Sequence, residues 1–127
     1  MKKTWFAAVP AILALGACSV IGPGDCPTII SYSVEVTAVD SITNVNVTPG
    51  ATLVLANSAG VDSFTVETGP LTVAGVGIDR TGTFTLRVRQ GGYQLWEKTG
   101  IRVERGECGA RTVNVTARLQ PFGPVAQ

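Results

Sequence analysis

From residue 29 onward the chain alternates apolar and polar side chains in short runs, each broken by glycine, proline, asparagine or aspartate. The clearest run is 83–89, with Phe84, Leu86 and Val88 on one side and Thr83, Thr85, Arg87 and Arg89 on the other. Successive strand residues point to opposite faces, so such a run is a strand with one face in a core and the other in water. Residues 30–38 repeat the pattern through Ile30, Tyr32, Val34, Val36 and Ala38, and residues 112–119 through Val113, Val115, Ala117 and Leu119. Between them, 52–56 reads as a central strand, 62–67 turns Phe64 and Val66 inward, and 71–76 is a short run. Val45 and Val47 suggest a short edge strand; Tyr93, Leu95 and Trp96 open a return strand that resumes at Ile101 and Val103. No useful helical period follows the first 17 residues. Short strands at regular spacing with turn signals between them predict an all-β sandwich of about seven strands.

Strand parity also predicts the core: Tyr32, Val34, Val36, Leu53, Leu55, Phe64, Phe84, Leu86, Val88, Tyr93, Leu95, Ile101, Val103, Val113 and Val115. The outward set is Thr83, Thr85, Arg87, Thr112, Asn114 and Thr116. One stretch breaks the rule. Unbroken parity through 96–100 would bury the Glu97 carboxylate, which is costly without a partner. A bulge is therefore expected there, with Thr99-Gly100 as its site.

The N-terminus has a different character. Lys2 and Lys3 precede an apolar stretch, residues 5–17, interrupted by Pro10 and Gly16. A membrane-spanning helix needs about 20 apolar residues, so this stretch is too short; a basic start, a short apolar core and small residues mark a secretory signal. It closes on Leu15-Gly16-Ala17-Cys18. That tetrad resembles the lipobox of bacterial lipoproteins, in which the cysteine sulfur accepts a diacylglyceryl group and becomes the first residue of the mature chain. The alternative is an ordinary cleaved leader with Cys18 unmodified. The resemblance implies two or three acyl chains and firm anchoring. Ser19 rather than aspartate after the cysteine favours the outer membrane of a two-membrane cell. The expected organisation is a signal peptide at 1–17, a lipidated tether at 18–27, a sandwich domain at 28–120 and a fraying tail at 121–127.

Composition excludes more than it selects. Without Lys2 and Lys3, eight basic residues face nine acidic ones, with no block of either sign. Nucleic-acid binding needs a concentrated basic field, so no nucleic acid is expected as a partner. The chain has no histidine, the commonest general base and metal ligand. Cys26 and Cys108 form an even pair in an exported chain, which points to a disulfide. A metal or redox pair is the alternative, but the C-x-x-C spacing is missing. A closed loop of roughly 80 residues would contribute about 4 kcal/mol on the chain-entropy account.

The segment from Gly82 through Phe84, Leu86, Val88, Gly91, Gly92 and Tyr93 to Trp96 resembles the signature hairpin of carboxypeptidase regulatory-like domains. Those domains share the transthyretin-like β-sandwich. Residues 34–40, 50–55 and 111–119 match more loosely, so the resemblance covers about 28–120. The first loop, Asp40-Ser41-Ile42-Thr43-Asn44, lacks the family's Thr-Gly-x-Pro. The resemblance implies a scaffold without catalytic residues; in this fold the first and last long strands share a sheet, which would bring Cys26 and Cys108 together.

Three surface features are candidates for function. Regular parity leaves the Trp96 ring outward, where it could anchor a protein or a sugar; otherwise a bulge turns it inward, or it lies flat on arginine stems. Arg87, Arg89, Arg102 and Arg118 form a basic stripe or an ordinary solvated face beside Glu97 and Glu104. Asp40, Asp62 and Asp79 lie near strand ends, where calcium-binding sandwiches cluster acids, but each is also a good turn former. No catalytic residue, metal site or cofactor is expected. The leading expectation is a lipid-anchored, non-catalytic adaptor or structural module of the bacterial envelope, contacting a membrane and an envelope protein or glycan. The alternatives are a carbohydrate- or peptidoglycan-binding module using Trp96 and, more remotely, a small hydrolase.

Overall fold

A computed structural model describes residues 30–123. Nine strands appear in order: β1 (Tyr32–Asp40), β2 (Thr52–Asn57), β3 (Gly60–Thr65), β4 (Ala74–Ile78), β5 (Gly82–Arg89), β6 (Trp96–Val103), β7 (Arg105–Gly106), β8 (Gly109–Ala110) and β9 (Val113–Leu119). Seven of them make two sheets, one ordered β4-β1-β9 and one ordered β3-β2-β5-β6; β7 and β8 form a small separate ribbon. The sheets close on a core drawn from both, including Val34, Val36, Leu53, Leu55, Phe84, Leu86, Ile101, Val103 and Leu119, all buried. The molecule is an all-β sandwich. All pairings are antiparallel except β1 with β9, which run parallel from Val34 opposite Val113 to Asp40 opposite Leu119.

The bulge falls in the expected stretch. Phe84 pairs with Ile101 but Leu86 pairs with Lys98, so β6 carries one extra residue between them. Gly100 sits there at φ +71°, a left-handed conformation that costs a side-chain-bearing residue more than glycine. The bulge keeps Ile101 and Val103 inward while Glu97 stays exposed opposite Arg87.

Parity fails at the sheet margins, for a common reason. Phe64 faces Leu53 across the β2–β3 pair, yet it is 44% exposed, because β3 is an edge strand with no neighbour to cover it. Leu95 is 50% exposed: it precedes β6, and its neighbours pair with the end of the chain instead, Gln94 N donating to Gln120 O (2.8 Å). Tyr32, Tyr93 and Val113 are only half-buried, and so is Thr85 of the outward set. Residues 45–47 form an isolated bridge, Val39 to Asn46, rather than a strand.

The first residues of the expected tail are held to the domain. Pro121 bridges Tyr93, and Phe122 N donates to Gly92 O at 3.1 Å, so ordered structure reaches past Leu119. Two edge strands carry inward charges: Lys98 opposite buried Leu86 on β6, and Asp62 opposite buried Leu55 on β3. Such charges discourage pairing with another chain.

Candidate functional site

The strand directions divide the loops into two ends. β1 and β9 start at one end and finish at the other, and β4 runs back against β1. The entry end holds residues 57–62, 78–82 and 102–112. The exit end holds residues 41–51, 66–73, 90–95 and 120–123.

The entry end is stitched by charges. Arg80 donates Nη1 to Asp62 Oδ2 and Nη2 to Asn57 Oδ1 (2.7 Å), while its guanidinium stands 5.0 Å from the Phe84 ring centroid. Its side chain is only 22% exposed, so it closes the open side of the sandwich between β3 and β4. Ser33 and Val34 are adjacent yet both buried, because the Ser33 hydroxyl donates to Arg80 O (2.7 Å) and accepts from Arg80 N (2.8 Å). Asp79 accepts the Ala110 amide at 2.8 Å and pairs with Arg105 at 3.6 Å, tying the β7–β8 ribbon to the end of β4. Arg80 lies in the turn between β4 and β5, where strand parity says nothing of its packing over Phe84.

The exit end is stitched by neutral groups around one carboxylate. Asp40 accepts from the Ile42 amide (2.7 Å), the Thr43 amide (2.9 Å) and the Tyr93 hydroxyl (2.8 Å). These bonds hold its carboxyl below the usual value of 3.8, the Thr43 amide contributing most; the same contact raises the Tyr93 phenol. Fully buried Thr48 accepts the Ala38 amide through its hydroxyl (2.8 Å) and donates to Thr72 O at 3.1 Å. Gln90 Nε2 donates to Val47 O (2.7 Å) and Pro49 O (2.8 Å). Neither side chain stands out in the sequence, since both lie in loops where parity says nothing.

The three aspartates therefore do not converge. Asp40 is at the exit end and the other two are at the entry end, each with its own partners; among the described residues no cluster of acids and cysteines could hold a metal ion. The arginines divide too. Arg87, Arg89 and Arg102 lie on the β3-β2-β5-β6 sheet, but Arg118 lies on the other sheet and donates to Asn44 Oδ1 at 2.6 Å. Arg87 pairs with Glu97 at 2.6 Å and Arg102 with Glu104 at 3.5 Å, as a solvated face would. Arg89 has no ion-pair partner among the described residues.

Trp96 is corrected. It opens β6 opposite buried Val88, on the inward face, and packs half-buried against the core. Parity counted from Tyr93 and Leu95 put it outward, but those residues precede the strand. The alternative of a sugar platform at this position therefore meets a ring that is half-buried in the packing. Cys18 and Cys26 lie outside the described residues. Cys108 sits in the turn between β7 and β8 and is not a free thiol.

Several shallow clefts line the described surface, and two of them lie beside the groups above. One, about 460 Å³, lies at the exit end between Arg89, Gln90, Tyr93, Leu95 and Phe122. The other, about 330 Å³, lies along the β3 and β4 edges beside Tyr32, Phe64, Ile78 and Arg80. The second is also lined by Asp62 and Ser63, and the Asp62 carboxylate there is paired with Arg80. No protein-family model matches the chain, and no curated protein matches it.

Proposed function

We propose that this chain is a lipid-anchored, non-catalytic module of the bacterial cell envelope, acting as an adaptor or structural part. The observation that carries this reading is Leu15-Gly16-Ala17-Cys18 at the end of a short basic-apolar leader, ahead of a single sandwich. The thiol of Cys18 would carry the lipid, and Ser19 favours the outer membrane. The likeness to carboxypeptidase regulatory-like domains fits such a scaffold role. The chemistry of the described side chains supports it as well: Asp40, Asp62 and Asp79 are each engaged in structural hydrogen bonds or ion pairs.

Pairing of Cys26 with Cys108 belongs to the same reading. Ser31 Oγ donates to Ala110 O at 2.8 Å, so the chain entering β1 lies against the β7–β8 ribbon. Five residues separate Cys26 from Ser31, a reach of at most about 18 Å. Metabolic labelling with a palmitate analogue tests the anchor. The wild-type protein should take up label, and Cys18→Ser should lose it and accumulate as precursor. Equal labelling of both rules out the lipobox.

A further inference from the structure

The chain joins the domain at its entry end, at a fixed point. Ser31 accepts the Asp79 amide through its carbonyl at 2.7 Å and donates its hydroxyl to Ala110 O at 2.8 Å. The neighbouring turns are tied to the same corner. Asp79 holds the Ala110 amide and Arg105, and Arg80 holds Asn57 and Asp62. The turn after β2, the turn after β4 and the β7–β8 ribbon thus form one surface around the incoming chain.

Two kinds of side chain face outward there. Ile30 (62% exposed), Val61 (65%) and Ile78 (60%) are apolar and uncovered. Arg111, beside Ala110, is exposed, and its guanidinium has no ion pair among the described residues. The carboxylates around it are engaged: Asp62 with Arg80, Asp79 with Arg105 and Glu104 with Arg102, and Glu107 is not free either. Apolar tips beside a cation are the combination that seats a protein in a lipid headgroup layer.

We infer that the entry end rests on the bilayer that holds the lipid, with Ile30 and Ile78 entering the headgroup boundary and Arg111 facing a lipid phosphate. This inference rests on the lipid anchor and the Cys26–Cys108 bridge proposed above. Apolarity alone does not choose this end, since Ile42, Leu71 and Phe122 are exposed at the exit end. The anchor chooses it. Cys108 lies in the turn of the β7–β8 ribbon. Cys26 is eight residues on from Cys18, a link of at most about 29 Å. The nine residues of β1 span about 30 Å. The link therefore keeps the entry end at the membrane, and the exit end could touch it only with the link at full stretch along the domain's flank. Once the chain is tethered, contact with the bilayer is intramolecular, so three apolar tips and one guanidinium suffice where a free protein would need more. The planar guanidinium forks onto phosphate oxygens.

The test uses the full-length protein, grown with the palmitate analogue and reconstituted in vesicles of phosphatidylethanolamine and phosphatidylglycerol at about three to one. A photo-reactive phenylalanine analogue is placed at Ile78, with Leu71 at the exit end and Thr116 on the outer face of β9 for comparison. Lipid adducts from Ile78 should exceed those from either comparison site at least about fivefold. Arg111→Gln should lower the Ile78 yield severalfold with label uptake and melting temperature unchanged, and Ile30→Asp serves should Arg111→Gln fold poorly. Equal lipid yields from Ile78 and Leu71, an excess from Leu71, Ile78 adducts to protein alone, or an Ile78 yield indifferent to these substitutions would each overturn the inference while the label upheld the anchor. Without label in the wild type the anchor itself falls, and this inference with it.

Discussion

The Asp40 carboxylate receives three hydrogen bonds, two from amides of its own loop and one from Tyr93. They hold its pKa below the ordinary 3.8. Its contribution is complete above the ordinary value and is lost as pH falls through the lowered folded one. Asp40→Asn should therefore be less stable than wild type at neutral pH, yet lose less on acidification below about pH 4. Denaturant melts across that range decide it, and parallel acid curves for the two proteins would count against the assignment. Tyr93 carries the opposite sign: its phenol is raised above 10.0, so its stabilisation is whole below that value and fades above it. Trp96 makes the third case. Because it packs against the core rather than standing in a binding platform, Trp96→Ala should cost stability, about 1–2 kcal/mol for a half-buried ring. An unchanged melting temperature would return the ring to the surface. The local turn role of Asp40 was legible, since aspartate at a strand end is a good turn former; its bond to Tyr93 was not, because it joins residues far apart in the sequence.

At the scale of elements, parity succeeded where a strand has neighbours and failed where it does not. β5 lies between β2 and β6, and Phe84, Leu86 and Val88 are buried as the alternation requires. Phe64 obeys the same alternation on edge strand β3 and stays exposed, because facing inward is not the same as being covered. The Thr99-Gly100 bulge was legible because burying Glu97 would have been costly, an argument about charge rather than pattern. Two substitutions probe these elements. Phe84→Ala should destabilise by about 3–5 kcal/mol, read as a fall in denaturant midpoint at constant slope. Gly100→Ala meets nothing within 4 Å, so its whole effect is the left-handed backbone; about 1–2 kcal/mol is expected. If that change proves neutral, the bulge geometry is wrong.

For the whole molecule, sandwich and strand number were legible from alternation and turns, while the hydrogen-bonded exit end was not, because it is assembled from four loops far apart in sequence. The proposed Cys26–Cys108 bridge acts at this scale. Reducing it, or changing Cys108 to serine, should lower stability by about 2–5 kcal/mol, and a melting curve indifferent to reductant would sink the pairing. The parallel register of β1 and β9 has a further consequence, a mechanical one. The chain enters the domain through β1 and leaves through β9, and these strands lie side by side over seven paired positions. Tension between the two ends of the domain pulls these neighbours in opposite directions along their length. Every rung between them is then loaded at once in shear, whereas an antiparallel pair pulled from one end would peel open rung by rung. A tethered domain built this way resists being drawn apart along the line from its anchor to whatever it holds.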